Sequence, residues 1–86
     1  MPEVLIYTTR FCPYCIRARM LLDSKNVKYT DIRVDAQPQR RAEMEQRSKR
    51  TSVPQIFIDD YHVGGCDDLF ALEAAGELNK KLGFDD

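Results

Sequence analysis

The sequence predicts a small α/β domain on a four-stranded mixed sheet, in the element order β-α-β-α-β-β-α. Three observations carry that reading. The apolar run Val4-Leu5-Ile6-Tyr7-Thr8 is followed at once by a stretch of helical periodicity. An alternating run covers Val27 to Val34. Two further short runs, Gln55 to Ile58 and Tyr61 to Gly64, flank Asp59-Asp60. The chain has 86 residues, and at about 100–200 residues per domain this is room for one domain, residues 1–86.

Val4 to Thr8 is apolar at consecutive positions, as a central strand covered on both faces requires. A turn around Thr9-Arg10-Phe11 ends it. Pro13 suits the first turn of a helix reaching Lys25, because its φ is already helical and its missing N–H is not needed there. Tyr14, Ala18, Leu21 and Leu22 recur at three- and four-residue steps and form the face expected to pack on the sheet, with Cys15 beside them pointing inward. The helix between Val4–Thr8 and Val27–Val34 makes a right-handed βαβ unit with parallel strands. Gln37-Pro38 opens a second helix to about Ser48; its apolar face is thin and Glu43 and Arg47 are spaced for an ion pair, so it covers the sheet from outside. Asp59-Asp60 reads as a two-residue hairpin turn without the usual glycine. Asp67-Asp68 supplies an acidic start to a third helix that Gly76 interrupts, and a short helical piece follows over Glu77 to Leu82.

Composition narrows the function classes. With 43% hydrophobic and 31% charged residues, four Gly and four Pro, usage is that of a folded globular chain. No apolar run approaches the roughly 18 residues of a membrane span. Met1-Pro2-Glu3 lacks a basic leader and Val4–Tyr7 is too short for a signal-peptide core, so a cytoplasmic, non-membrane protein is expected. Net charge is −1, yet residues 1–50 hold 11 Lys/Arg against 6 Asp/Glu and residues 51–86 hold 2 against 8. The sharpest basic stretch, Arg40 to Arg50, contains no aromatic residue for base stacking; it reads as a solvated helix face, and no nucleic-acid partner is expected.

Three cysteines are too few and odd in number for structural stapling, which points to redox or metal chemistry. Cys12-Pro13-Tyr14-Cys15 is the informative motif, since thiols at this spacing at a strand-to-helix junction come within disulfide reach. The open N–H groups and positive dipole end of the helix, with Arg10 and Arg17 nearby, favour a thiolate on Cys12; Cys15, one turn deeper, stays protonated. Pro13 lacks an N–H and moderates that activation. Cys12, Cys15, His62 and Cys66 could be written as a zinc set, but His62 sits mid-strand, facing opposite to Tyr61 and Val63, and no metal site is expected.

Tyr7-Thr8, Cys12-Pro13-Tyr14-Cys15, Thr51-Ser52-Val53-Pro54-Gln55-Ile56-Phe57 and Gly64-Gly65-Cys66-Asp67-Asp68-Leu69 together resemble the glutaredoxins, most closely the small bacterial dithiol type, and the resemblance spans nearly the whole chain. It implies the thioredoxin-like fold, glutathione as reducing cosubstrate with no tightly bound cofactor, Cys12 as nucleophile and Cys15 as its resolving partner. It also implies a cis Val53–Pro54 bond, pairing of the Val53 backbone with the cysteinyl part of glutathione, and close approach at Gly64-Gly65. The γ-glutamyl carboxylate would meet the N–H groups of Cys66 and Asp67, and its ammonium the Asp67 side chain. Where the family commonly carries Lys, three residues before the nucleophile, this chain has Thr9; Arg10 and Arg40 are the candidates to meet the glycyl carboxylate instead.

The resemblance implies reduction of protein–glutathione mixed disulfides and of protein disulfides by a monomer. The implied partners are glutathionylated or disulfide-bonded proteins, with glutathione reductase acting indirectly through glutathione. A rival within the fold, reduction by thioredoxin reductase, lacks its usual C-terminal features here. A rival from another class, a carrier of a [2Fe–2S] cluster bridged between subunits, is disfavoured by Pro13. Ile16, on the outer side of the first helix, reads as a docking residue or a tolerated surface apolar one. Cys66 reads as a packed thiol or a regulatory site of oxidation.

Overall fold

The computed structural model describes residues 2–84. Its elements are β1 (Val4–Thr8), α1 (Pro13–Ser24), β2 (Thr30–Arg33), α2 (Pro38–Ser48), β3 (Gln55–Ile58), β4 (Tyr61–Gly64), α3 (Cys66–Ala74) and α4 (Leu78–Lys81). The sheet runs β2-β1-β3-β4, with β1 and β2 parallel and the other two neighbours antiparallel. This is the four-stranded mixed sheet flanked by helices that the sequence predicts, in the thioredoxin-like arrangement.

Central β1 explains the layering. Ile6 faces a cluster with Ala18, Leu22, Ile56, Leu69 and Leu78 from the α1 and α3 side. Tyr7, the next residue, faces Ile32, Val34, Met44 and Phe57 under α2. A strand with helices on both faces leaves little side chain in solvent, so even Thr8 is buried, its hydroxyl donating to Asp31 at 2.6 Å. Each fully buried side chain such as Leu22 contributes about 1.5–3 kcal/mol relative to exposure.

Three departures from the sequence reading have local causes. First, Tyr14 does not join the core: it is 56% exposed, and the inward face of α1 is Cys15, Ala18 and Leu22. Tyr14 stands in the first helical turn, beyond the end of β1, so it lines a cleft with the loop that precedes β3 rather than packing on the sheet. Second, Val27 is buried but lies outside β2; its N–H donates to the Leu22 carbonyl and closes the end of α1 after left-handed Asn26 (φ 58°). Third, Glu43 and Arg47 meet at the buried Tyr7 hydroxyl, which donates to Glu43 and accepts from Arg47 Nη1, while the ion pair of Glu43 is with Arg40. The hairpin turn forms as expected, with Asp59 adopting the left-handed φ of 51° that glycine would otherwise supply. Asp59 also exchanges hydrogen bonds with Glu3, which ties the start of β1 to the hairpin.

Candidate active site

The βαβ crossover places Cys12 between β1 and α1, in extended backbone (φ −125°, ψ 104°) as the N-cap of the helix. An N-cap side chain accepts one of the N–H groups the first turn cannot satisfy internally. Here the acceptor is sulfur: the Cys15 N–H donates to Cys12 Sγ at 3.1 Å. Pro13 follows in the first turn and costs the helix no hydrogen bond. Cys12 is 7% exposed and Cys15 is fully buried beneath it; both are free thiols. Burial pushes the Cys15 thiol up to about 12, and its hydrogen bond to Cys12 adds to the rise.

Opposite Cys12 lies the loop between α2 and β3. The Val53 carbonyl is 3.9 Å from Cys12 Sγ, and the Val53–Pro54 peptide is cis, as the resemblance implies. The Val53 N–H makes no hydrogen bond among the described residues. Tyr14, Ser52, Val53, Pro54, Cys66 and Asp67 line a cleft of about 200 Å³ beside the cysteines. A larger cavity of about 290 Å³ lies at the far end of β1, against Val4, Val27, Leu82 and Phe84, and no cysteine lines it.

The start of α3 closes the other side of the cleft. The acidic pair divides its labour. Asp68 turns back so that Oδ2 accepts the Gly65 N–H at 2.9 Å and the Arg50 guanidinium at 2.9 Å, and these contacts hold its carboxyl below the usual range. Asp67 is exposed on the cleft rim. The two glycines differ as well: Gly64 has φ +114° and faces Asp68, whereas Gly65 has ordinary backbone with the Pro54 carbonyl in normal contact distance. Cys66, the first residue of α3, is buried, and burial raises its thiol pKa.

The candidate cations lie as follows. The Arg10 N–H donates to Asp35 and its guanidinium rests over Phe11, 5.0 Å from the ring centre, while Phe11 is 86% exposed. Arg40 pairs with Glu43 at 3.3 Å, and its Nε is buried without a hydrogen-bond partner. The α2 cation that reaches the cleft loop is Arg41, through Nη2 to the Thr51 carbonyl at 3.0 Å. His62 lies away from the thiols in bonding terms: its Nε2 meets Gln55 Oε1 at 2.7 Å and its ring stacks on Phe57. Ile16 is half-exposed on the outer face of α1, as read from the sequence. Arg41 and Arg50 read from the sequence only as part of a solvated basic face, and Gln55 only as part of the motif that resembles the family; the one signal for a role was Gln55 as the polar residue in an otherwise apolar strand.

The glutaredoxin family model matches residues 4–63. The chain belongs to the glutaredoxin family. It is 55% identical to a glutaredoxin of Pseudomonas aeruginosa over 95% of this chain and 98% of that one. It is 54% identical to glutaredoxin 3 of Escherichia coli K12 over 95% of this chain and 99% of that one. The solution structure of a glutaredoxin from Brucella melitensis superimposes with a TM-score of 0.83 at 50% identity, covering 100% of this chain and 96% of that one. A buckwheat glutaredoxin solved as a glutathione complex superimposes with a TM-score of 0.88 at 27% identity, over 95% and 77% of the two chains. Glutaredoxins are thiol-disulfide oxidoreductases, and the paired thiols of Cys12 and Cys15 are the groups in this fold suited to that chemistry.

Proposed function

We propose that the protein is a dithiol glutaredoxin that uses glutathione to reduce protein–glutathione mixed disulfides and protein disulfides, with Cys12 as nucleophile and Cys15 as resolving thiol. The observation that carries this reading is the Cys12 sulfur serving as N-cap of α1, opposite the Val53 carbonyl, with Cys15 buried one turn below.

In the first reaction the Cys12 thiolate attacks the glutathionyl sulfur. The substrate thiolate leaves and takes a proton, and Cys12 carries the glutathione. A second glutathione thiolate then attacks that glutathionyl sulfur, forming oxidised glutathione and restoring Cys12. In the second reaction Cys12 opens a protein disulfide and holds one half as a mixed disulfide. Cys15 loses its proton and attacks the Cys12 sulfur; the second substrate thiol leaves and a Cys12–Cys15 disulfide remains for two glutathiones to reduce. Burial is the largest cause of the raised Cys15 pKa, and the hydrogen bond and charge of Cys12 add to it. Bonding Cys12 to substrate removes those two added contributions and eases deprotonation of Cys15, while burial continues to oppose it.

The cleft supplies a matching set of groups for glutathione. Val53 offers an unpaired N–H and a carbonyl for strand-like pairing, with Pro54 fixing the turn beside it. The Cys66 and Asp67 N–H groups at the start of α3 suit the γ-glutamyl carboxylate, and the exposed Asp67 side chain its ammonium. For the glycyl carboxylate Arg10 and Arg40 stand as the sequence candidates; Arg41, whose guanidinium bonds the Thr51 carbonyl of the loop, is the better placed of the α2 cations. Trapping tests the whole assignment: Cys15→Ser should accumulate covalent adducts with cellular proteins and with glutathione, all mapping to Cys12 by mass spectrometry. Adducts at Cys66 in place of Cys12 would overturn it.

A further inference from the structure

We propose that Gln55 is a positioning residue for glutathione recognition, its carboxamide fastening the Ser52–Pro54 loop to the sheet so that the Val53 backbone is held opposite Cys12. The inference rests on the glutathione reading above.

Gln55 is fully buried in β3, whose other residues are Ile56, Phe57 and Ile58. A buried carboxamide is costly unless its donors and its acceptor are used. Here they are: Nε2 donates to the Ser52 carbonyl at 3.0 Å and reaches Ser52 Oγ at 3.3 Å, and Oε1 meets His62 Nε2 at 2.7 Å. The orientation is forced, because a carbonyl only accepts: the amide nitrogen must face Ser52, so the oxygen faces His62 and the imidazole Nε2 carries the proton. His62 is itself held by stacking on Phe57, with ring centres 4.8 Å apart.

An apolar side chain of this length would fill the same space without any polar demand, so core packing alone does not explain Gln55. What the carboxamide adds is a tie across the strand start. Thr51 is held by Arg41 and Ser52 by Gln55, and the following residue, Val53, keeps its N–H unpaired beside the cleft. A backbone donor fixed before the ligand arrives loses less freedom on binding. The effect should fall on recognition of the glutathionyl group, with chemistry at Cys12 untouched.

The test compares one peptide carrying either a glutathionyl or a cysteaminyl mixed disulfide, with wild type and Gln55→Met. Wild type should prefer the glutathionyl peptide. Gln55→Met should raise KM for it by about tenfold, with kcat and the cysteaminyl kcat/KM within about twofold of wild type. Unchanged KM, or equal losses on both peptides, would overturn the role of Gln55. Absence of any glutathionyl preference in wild type would instead sink the glutathione reading, and this inference with it. If Gln55→Met does not fold, His62→Phe keeps the stack on Phe57 but removes the donor to Oε1. It should show the same split at about threefold, and no split there would also overturn the proposal.

Discussion

The Cys15 N–H donates to Cys12 Sγ at 3.1 Å, so the backbone of the fully buried cysteine caps the sulfur of the one that keeps a little exposure. The two thiols are thereby made unequal by position alone. One receives a helix N-terminal N–H opposite the Val53 carbonyl; the other is fully buried, with its thiol pushed up to about 12. Division of labour between them follows from that inequality.

Removing glutathione from a protein needs one attacking thiolate and then external glutathione, whereas resolving a protein disulfide internally needs Cys15. Cys15→Ser should therefore keep substantial activity on a glutathionylated peptide and lose most of its activity on a protein disulfide. Cys12→Ser should lose both. Parallel assays of the two variants check this, and an active Cys12→Ser with a dead Cys15→Ser would reverse the roles.

Burial raises the thiols of both Cys15 and Cys66, so an alkylating agent at neutral pH should label Cys12 and spare the other two. Site-resolved mass spectrometry after brief iodoacetamide treatment reads this directly. The same burial has a stability consequence. A thiol held at about 12 when folded, against about 8.5 when unfolded, contributes stability that is complete below the unfolded value and is lost as pH rises towards the folded one. Wild type should thus lose stability above about pH 9, and Cys15→Ala should lose less over the same range.

How far the sequence could reach is visible in particular residues. The strand pattern of Val4–Thr8 and the cysteine spacing at a helix start are local signals, and both placed their elements correctly. Tyr14 obeyed the helical period yet stands exposed, because periodicity cannot tell where a helix outruns its sheet. Glu43 and Arg47 have the spacing of an ion pair, but a buried hydroxyl from β1 intervenes, and a contact 36 residues away in sequence leaves no local trace. Gln55 shows the same limit: its partners Ser52 and His62 become neighbours only when the loop and the hairpin fold together.

The glycine pair before α3 should respond asymmetrically to alanine. At Gly64 the φ of +114° is one that side chains rarely adopt, and an added Cβ would stand 2.2 Å from Asp68 Oδ2. Gly64→Ala should cost about 1–3 kcal/mol from backbone strain, and it should displace the carboxylate that caps α3. At Gly65 the nearest atom to an added Cβ is the Pro54 carbonyl at 3.5 Å, an ordinary contact. Gly65→Ala should remain close to wild type in denaturant unfolding. Equal destabilisation by both substitutions would contradict the assignment.

The charge of Asp68 makes stability depend on acid pH, with a sign fixed by the groups around it. The Gly65 N–H and then the Arg50 guanidinium hold its carboxyl below the usual range, so the charged form is favoured in the folded protein. Stability from this group is present above the unfolded carboxyl value of about 3.9 and is lost as pH falls through the lower folded value. The side chain is 44% exposed, so solvent screening limits the ion-pair share and most of the effect comes from the helix cap. Asp68→Asn should therefore destabilise the protein by roughly 0.5–1 kcal/mol at neutral pH. Unfolding curves of wild type and variant should converge as pH falls through the lowered folded value of Asp68, where its carboxyl becomes protonated and both side chains are uncharged. A gap that stays constant down to that pH would show that Asp68 acts through its shape and not its charge.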